Sequence, residues 1–128
     1  MALEVLVVDD EADIRDLVAF ILEQAGAEVT VATSASEALA ALNQTMPDVM
    51  VCDVGMPEVD GYMLMRQVRA LPSERGGLIP VIALTAYAGE SNQKQALAAG
   101  FQLHISKPVE PEELVRAIAH LLARDNET

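Results

Sequence analysis

Three aspartates, a threonine and a lysine each close an apolar run. Asp9 and Asp10 follow Val5-Leu6-Val7-Val8, Asp53 follows Val49-Met50-Val51-Cys52, Thr85 follows Val81-Ile82-Ala83-Leu84, and Lys107 follows Leu103-His104-Ile105-Ser106. If the runs are parallel strands of one sheet, these residues share one edge, where α/β proteins place their chemistry. Carboxylates about 4 Å apart repel by roughly 4 kcal/mol per pair at an effective dielectric of 20, so three in one crevice must protonate or share a cation. Mg²⁺ suits such a group, because it takes one or two carboxylates, keeps several waters and leaves room for a phosphate oxygen. No His/Cys spacing points to zinc. Thr85 adds a hydroxyl donor and Lys107 an ammonium, which completes an anion site beside the metal. Phosphoryl transfer needs little else, and a carboxylate can be its nucleophile. Asp53, alone on the central run, is the best placed to attack. Taken singly, each residue has a plainer explanation: a helix N-cap for the aspartate pair, a strand-end threonine, a surface lysine.

The elements that would position these residues are visible in the periodicity. Ile14, Leu17, Val18, Ile21 and Leu22 form a helical stripe stopped by Gly26. Ala35, Ala38, Leu39 and Leu42 repeat it after Ser34, a candidate N-cap. Leu64, Val68 and Leu71 supply a third stripe ending before Pro72, and an Ala-rich fourth runs from about Glu90 to Ala99. The last helix has Pro111 in its first turn, Glu112 and Glu113 against its dipole, and a stripe of Leu114, Ile118, Leu121 and Leu122. Five alternations of strand and helix suit right-handed crossovers and a parallel sheet covered on both faces. The first, third and fourth runs are continuously apolar, as strands buried on both faces must be. Glu28-Val29-Thr30-Val31 and Gln102-Leu103-His104-Ile105-Ser106 alternate with polar residues and are expected at the edges. The expected fold is a doubly wound, flavodoxin-like (βα)5 sandwich with a five-stranded parallel sheet of order 2-1-3-4-5, which puts Asp10 and Asp53 at its switch point. The stretch from Pro72 to Pro80 is expected to be an exposed loop. Met46, Met50, Met56, Met63 and Met65 are expected to fill the core, and Met56-Pro57 to shape a loop over the site.

Composition narrows the function. A chain of 128 residues, 52% of them hydrophobic, fits one domain, expected over residues 1–124 with a polar tail at 125–128. No apolar stretch approaches the roughly 20 residues that span a bilayer, and no signal peptide is visible, so a cytoplasmic location is expected. Cys52 lies inside an apolar run and is expected to be a buried core residue. The net charge of −12, from 20 acidic and 8 basic residues, disfavours nucleic-acid and membrane partners.

On these residues the chain resembles the receiver, or response-regulator, domain of bacterial two-component signalling. The resemblance rests on Val7-Val8-Asp9-Asp10-Glu11, on Asp53-Val54-Gly55-Met56-Pro57 followed by Asp60-Gly61, on Leu84-Thr85-Ala86 and on Lys107-Pro108. It implies that Asp53 accepts phosphate from a phosphohistidine on a histidine kinase or phosphotransfer domain. It further implies that Asp10, Asp53 and the Gly55 carbonyl bind Mg²⁺ with Asp9 holding a metal water, that Thr85 and Lys107 contact the phosphoryl group, and that the bond to Pro108 is cis. The output surface would be the fourth helix, fifth strand and fifth helix. His104 departs from the pattern, because the family's switch position three residues before the lysine usually carries Tyr or Phe. It is either a plain edge-strand histidine or a switch that would respond to pH near the ordinary histidine value of about 6.5. Gly55 and Tyr87 stand where the family tunes dephosphorylation, and a bare Gly55 with a bulky Tyr87 implies a slow to moderate rate.

Two competing readings remain. A Mg²⁺-dependent phosphatase of the haloacid-dehalogenase type also uses an Asp nucleophile, but it carries Asp-x-Asp and a cap, whereas Asp9 and Asp10 are adjacent. Flavin binding is disfavoured because the first strand is followed by acidic residues. The chain is expected to be a regulatory module, not an enzyme, and either a stand-alone regulator or part of a longer chain. The Phe101 to Ile105 stretch and the Pro111-Glu112-Glu113 helix start resemble hybrid histidine kinase receivers.

Overall fold

A computed structural model describes residues 3–54, 61–75, 77–85, 97–107 and 109–125. Five strands, β1 (Glu4–Val8), β2 (Glu28–Ala32), β3 (Val49–Asp53), β4 (Val81–Thr85) and β5 (Leu103–Ser106), form one parallel sheet in the order β2-β1-β3-β4-β5. The helices are α1 (Ala12–Gln24), α2 (Ala35–Gln44), α3 (Gly61–Arg69), α4 (described at 97–99) and α5 (Pro111–Asp125). This is the flavodoxin-like arrangement expected from the alternation. Every residue of β3 and β4 is buried, and so are Val5 to Val8 of β1, whereas Glu28, Thr30 and Val31 of β2 are exposed. The strands without an apolar–polar alternation therefore take the middle, where helices cover both faces.

Strand alternation divides the core into two layers. Val5, Val7, Val49, Val51, Ile82, Leu84 and Ile105 pack with Val18, Ile21 and Leu22 of α1 and Leu114, Ile118 and Leu121 of α5. The opposite face carries Leu6, Val8, Met50, Cys52, Val81 and Ala83 against Ala35, Ala38 and Leu42 of α2, Leu64, Met65 and Val68 of α3, and Phe101. Each fully buried aliphatic side chain stabilises the fold by roughly 1.5–3 kcal/mol, so the strands are held in register from both sides. Helix ends match their signals. Gly26 takes φ +97°, and Ala27 N–H donates back to the Leu22 carbonyl at 3.0 Å, closing α1. Ser34 Oγ accepts from Glu37 N–H at 3.2 Å, while Glu37 Oε1 accepts from Thr33 N–H at 2.8 Å, a reciprocal cap on α2.

Several expectations change. Leu17, counted in the core stripe of α1, is 45% exposed, because the α1 contact with the sheet is centred on Val18, Ile21 and Leu22. Met50 and Met65 are buried, but Met46 and Met63 lie outside the core, just beyond the C-cap of α2 and on the outer side of α3. The stretch from Pro72 to Pro80 is only partly a loop on the surface. It contains a short 3-10 turn (Ser73–Arg75) and buries Gly77, Ile79 and Pro80, while Leu78 stays exposed. Gly77 is required there, since an added Cβ would fall 2.0 Å from the Leu71 carbonyl oxygen. Asp125, expected to begin the tail, ends α5. Met56 and Pro57 and the expected fourth helix before residue 97 lie outside the described residues.

Candidate phosphorylation site

The carboxyl ends of β1, β3, β4 and β5 meet at one edge of the sheet. The register pairs Val8 with Cys52, Asp53 with Leu84, and Thr85 with Ser106, so the residues just beyond or at these ends are neighbours. Asp53 closes β3 and Thr85 closes β4, and both are buried. Asp9, immediately after β1, is fully buried, with its N–H donating to the Ala32 carbonyl at 3.1 Å and its own carbonyl accepting from Arg15 Nη1 at 3.0 Å. Asp10 is exposed beside it. Lys107 follows β5, and its N–H donates to the Thr85 carbonyl at 2.8 Å, which holds the start of its side chain against β4.

The lysine side chain turns into the acidic edge. Its Nζ donates to Asp53 Oδ1 at 3.3 Å and lies 3.7 Å from Asp9 Oδ2 and 3.6 Å from Glu11 Oε1. Oxygens of Asp9, Asp10, Glu11 and Asp53 all come within 4.8 Å of one another. The charges do not balance. Burial pushes the Asp9 carboxyl up from 3.8 to about 6, with the Asp53 charge adding to the rise and the 2.8 Å hydrogen bond from Glu11 N–H opposing it. The Asp10 carboxyl is also raised, by desolvation and then by its hydrogen bond to Asp53. Partial burial pulls Lys107 down, but the Asp53 and Asp9 carboxylates outweigh it and hold the ammonium above its ordinary value. One oxygen, Asp9 Oδ2, is buried and finds no hydrogen-bond partner among the described residues. A hard cation with oxygen ligands fits this set, since it would meet that oxygen and relieve the repulsion that the single lysine leaves.

The expected residues Asp9, Asp10, Asp53, Thr85 and Lys107 are thus brought to one edge. His104 lies opposite Ala83 on β5, half-buried, on the same sheet face as Thr85 and not within the acidic cluster. Gly55, Tyr87 and Pro108 lie outside the described residues. Glu11 was not singled out from the sequence as a site residue. The available signal was its position two residues after Asp9, because a Glu11 N–H that donates to the Asp9 carboxylate makes a local turn there.

Comparison with known proteins decides the family. The sequence profile of the response regulator receiver domain matches residues 5–119. The chain belongs to the response regulator receiver domain family. A 14.6 kDa protein of Leptolyngbya boryana is 50% identical to this receiver domain over 91% of the chain and 87% of its own length. The response regulator SaeR of Staphylococcus aureus is 40% identical over 93% of the chain, which spans about half of that regulator (50%). Among solved structures, a response regulator receiver domain protein of Methanospirillum hungatei superposes with a TM-score of 0.88 at 30% identity, covering 99% of this chain and 98% of that one. The receiver domain of a sensor histidine kinase of Pseudomonas aeruginosa gives 0.84 at 29% identity, covering 94% and 97%, and holds a magnesium ion in its active-site cleft. Among the described residues of the receiver, no helix is long and apolar enough to cross a membrane.

Proposed function

We propose that this receiver domain takes a phosphoryl group onto Asp53 from a phosphohistidine of a histidine kinase or phosphotransfer domain, with Mg²⁺, and thereby switches a partner-binding surface. The observation that carries this reading is the placement of a buried Asp53 carboxylate 3.3 Å from the Lys107 ammonium, beside an Asp9 oxygen that has no hydrogen-bond partner among the described residues. An Asp53 oxygen attacks phosphorus, the P–N bond breaks, and the imidazole leaves with the bonding pair. Lys107 then moves its charge from the carboxylate to the phosphoryl oxygens, and the Thr85 hydroxyl donates to them. Asp9, Asp10, Asp53 and the Gly55 carbonyl would hold Mg²⁺, as a magnesium ion is held in the cleft of the Pseudomonas aeruginosa receiver. Bound there, the ion supplies charge neutralisation for the transferring group.

The remaining roles follow the family pattern. His104, on the Thr85 face of β5, relays the change to the surface of α4, β5 and α5 that a downstream protein reads. Gly55 and Tyr87 set a slow to moderate dephosphorylation rate, and the bond to Pro108 is cis. The domain runs through α5, to residue 125, acts in the cytoplasm, and supplies catalytic groups only for its own phosphorylation and dephosphorylation, as in the receiver of a hybrid kinase or a separate regulator. Incubation with Mg²⁺ and a small acyl phosphate tests the reading. A mass gain of one phosphoryl group, absent in Asp53→Asn, supports it; turnover of phosphomonoesters without a stable adduct would replace it with the phosphatase reading.

A further inference from the structure

Glu11 touches the site without belonging to its buried part. Its side chain is 60% exposed, against 14% for Lys107 and 5% for Asp53, yet its Oε1 is only 3.6 Å from the Lys107 ammonium. One cation is therefore divided among Asp53 at 3.3 Å, Glu11 at 3.6 Å and Asp9 at 3.7 Å, and Glu11 is the partner on the solvent side. Its backbone is held at both ends: the N–H donates to Asp9 Oδ1 at 2.8 Å, and the carbonyl accepts from Arg15 N–H at 2.9 Å at the head of α1. The main chain of Glu11 is thus fixed at the mouth of the site, and its carboxylate lies within ion-pair distance of Lys107 from there.

We propose that Glu11 is a positioning residue that shares the Lys107 ammonium and, by its own charge at the mouth, makes phosphorylation of Asp53 selective for donor charge. The proposal rests on the reading of Asp53 as phosphoacceptor. In the step itself an Asp53 oxygen bonds to phosphorus while the donor's P–O or P–N bond breaks, its leaving group keeping the bonding pair and taking up a proton from water where it needs one. The incoming phosphoryl oxygens require the ammonium that Glu11 shares, and they pass the Glu11 carboxylate to reach it. Coulomb energy is linear in charge, so a dianionic donor is opposed about twice as strongly as a monoanionic one. A small free anion brings nothing to offset this.

The test compares wild type, Glu11→Gln and Glu11→Asp at saturating Mg²⁺, following Asp53 phosphorylation by mass. The donors are acetyl phosphate, a dianion at neutral pH, and phosphoramidate, which carries one net negative charge. Glu11→Gln is expected to speed acetyl phosphate roughly threefold to tenfold and phosphoramidate by about the square root of that factor, with both gains shrinking as salt is added. Glu11→Asp keeps most of the wild-type ratio between donors. Equal changes for the two donors, or none, would overturn the proposal, as would a tenfold loss of Mg²⁺ affinity by calorimetry in Glu11→Gln, which would make Glu11 a metal ligand. Wild type that takes phosphate while Glu11→Gln leaves the donor ratio unchanged removes this proposal alone. Wild type that takes none from either donor removes the Asp53 reading and this inference with it.

Discussion

Charged side chains are drawn inward at both ends of the sheet, and the two ends treat them in opposite ways. At the amino end of β4 and β5, Arg69 from α3 donates to the Gly100 carbonyl at 2.8 and 3.1 Å, to the Gly77 carbonyl at 3.0 Å and to Gln102 Oε1 at 3.0 Å. Gln102 Oε1 also accepts from Val81 N–H at 2.7 Å. Among the described residues, the cation there meets only neutral acceptors. Gly100, at φ +112°, is packed so closely on the guanidinium that an added Cβ would sit 3.0 Å from Arg69 Cγ. At the carboxyl end four carboxylates crowd together, three of them share Lys107, and among the described residues the buried Asp9 Oδ2 finds no hydrogen-bond donor. The first cluster closes the structure, tying α3, the segment before β4 and the start of β5 together. The second stores repulsion that a cation and a phosphoryl group can relieve, which is how a binding site differs from a structural clamp.

Substitutions that treat the two ends alike should separate them. The largest effect expected is total loss of phosphoryl uptake in Asp53→Asn, read by mass, with the fold intact by circular dichroism. Next, Arg69→Ala should destabilise the domain by roughly 2–4 kcal/mol in urea unfolding, because it removes charged hydrogen bonds and leaves the Gly77 and Gly100 carbonyls without that partner. If Arg69→Ala costs less than about 1 kcal/mol, the clamp is not what closes that end.

The acidic end should respond to pH with the opposite sign from a stabilising ion pair. The folded chain holds the Asp9 proton up to about 6 whereas the ordinary value is 3.8, so without metal its stability falls as pH rises through that interval and levels off above it. The change attributable to Asp9 is roughly 3 kcal/mol. Asp9→Asn keeps the hydrogen bond from Glu11 N–H and should raise metal-free stability at neutral pH while flattening this slope. Equal slopes in wild type and Asp9→Asn would show that Asp9 is not the source. Mg²⁺ at about a hundred times its dissociation constant should restore roughly 2.7 kcal/mol to the wild type, and less to Asp9→Asn, in thermal melts. The smallest effect lies outside both ends: Ser34→Ala removes the cap on α2 and should cost about 1 kcal/mol, with no effect on phosphorylation.

Strand order and most of the site follow from local properties of the chain. A strand buried on both faces must be apolar throughout, so the composition of the first, third and fourth runs placed β1, β3 and β4 in the middle of the sheet. The alternation of Glu28 to Val31 placed β2 at the edge. Once the sheet is parallel, residues at the ends of neighbouring strands meet, which brought Asp9, Asp10, Asp53, Thr85 and Lys107 into one crevice. These conclusions need only side-chain type, period and chain direction. Depth and contact are different, because they depend on how far apart in sequence the meeting groups lie. Periodicity put Leu17 in the core, but helix rotation left it outside, and of the methionines assigned to the core Met50 and Met65 are buried while Met46, just past α2, and Met63, on the outer side of α3, are exposed. Nothing local marks Arg69 as the clamp on Gly77, Gly100 and Gln102, since its acceptors lie 8 to 33 residues away and are mostly main-chain carbonyls. Glu11 likewise became part of the site only when Lys107, arriving from the other end of the chain, reached it.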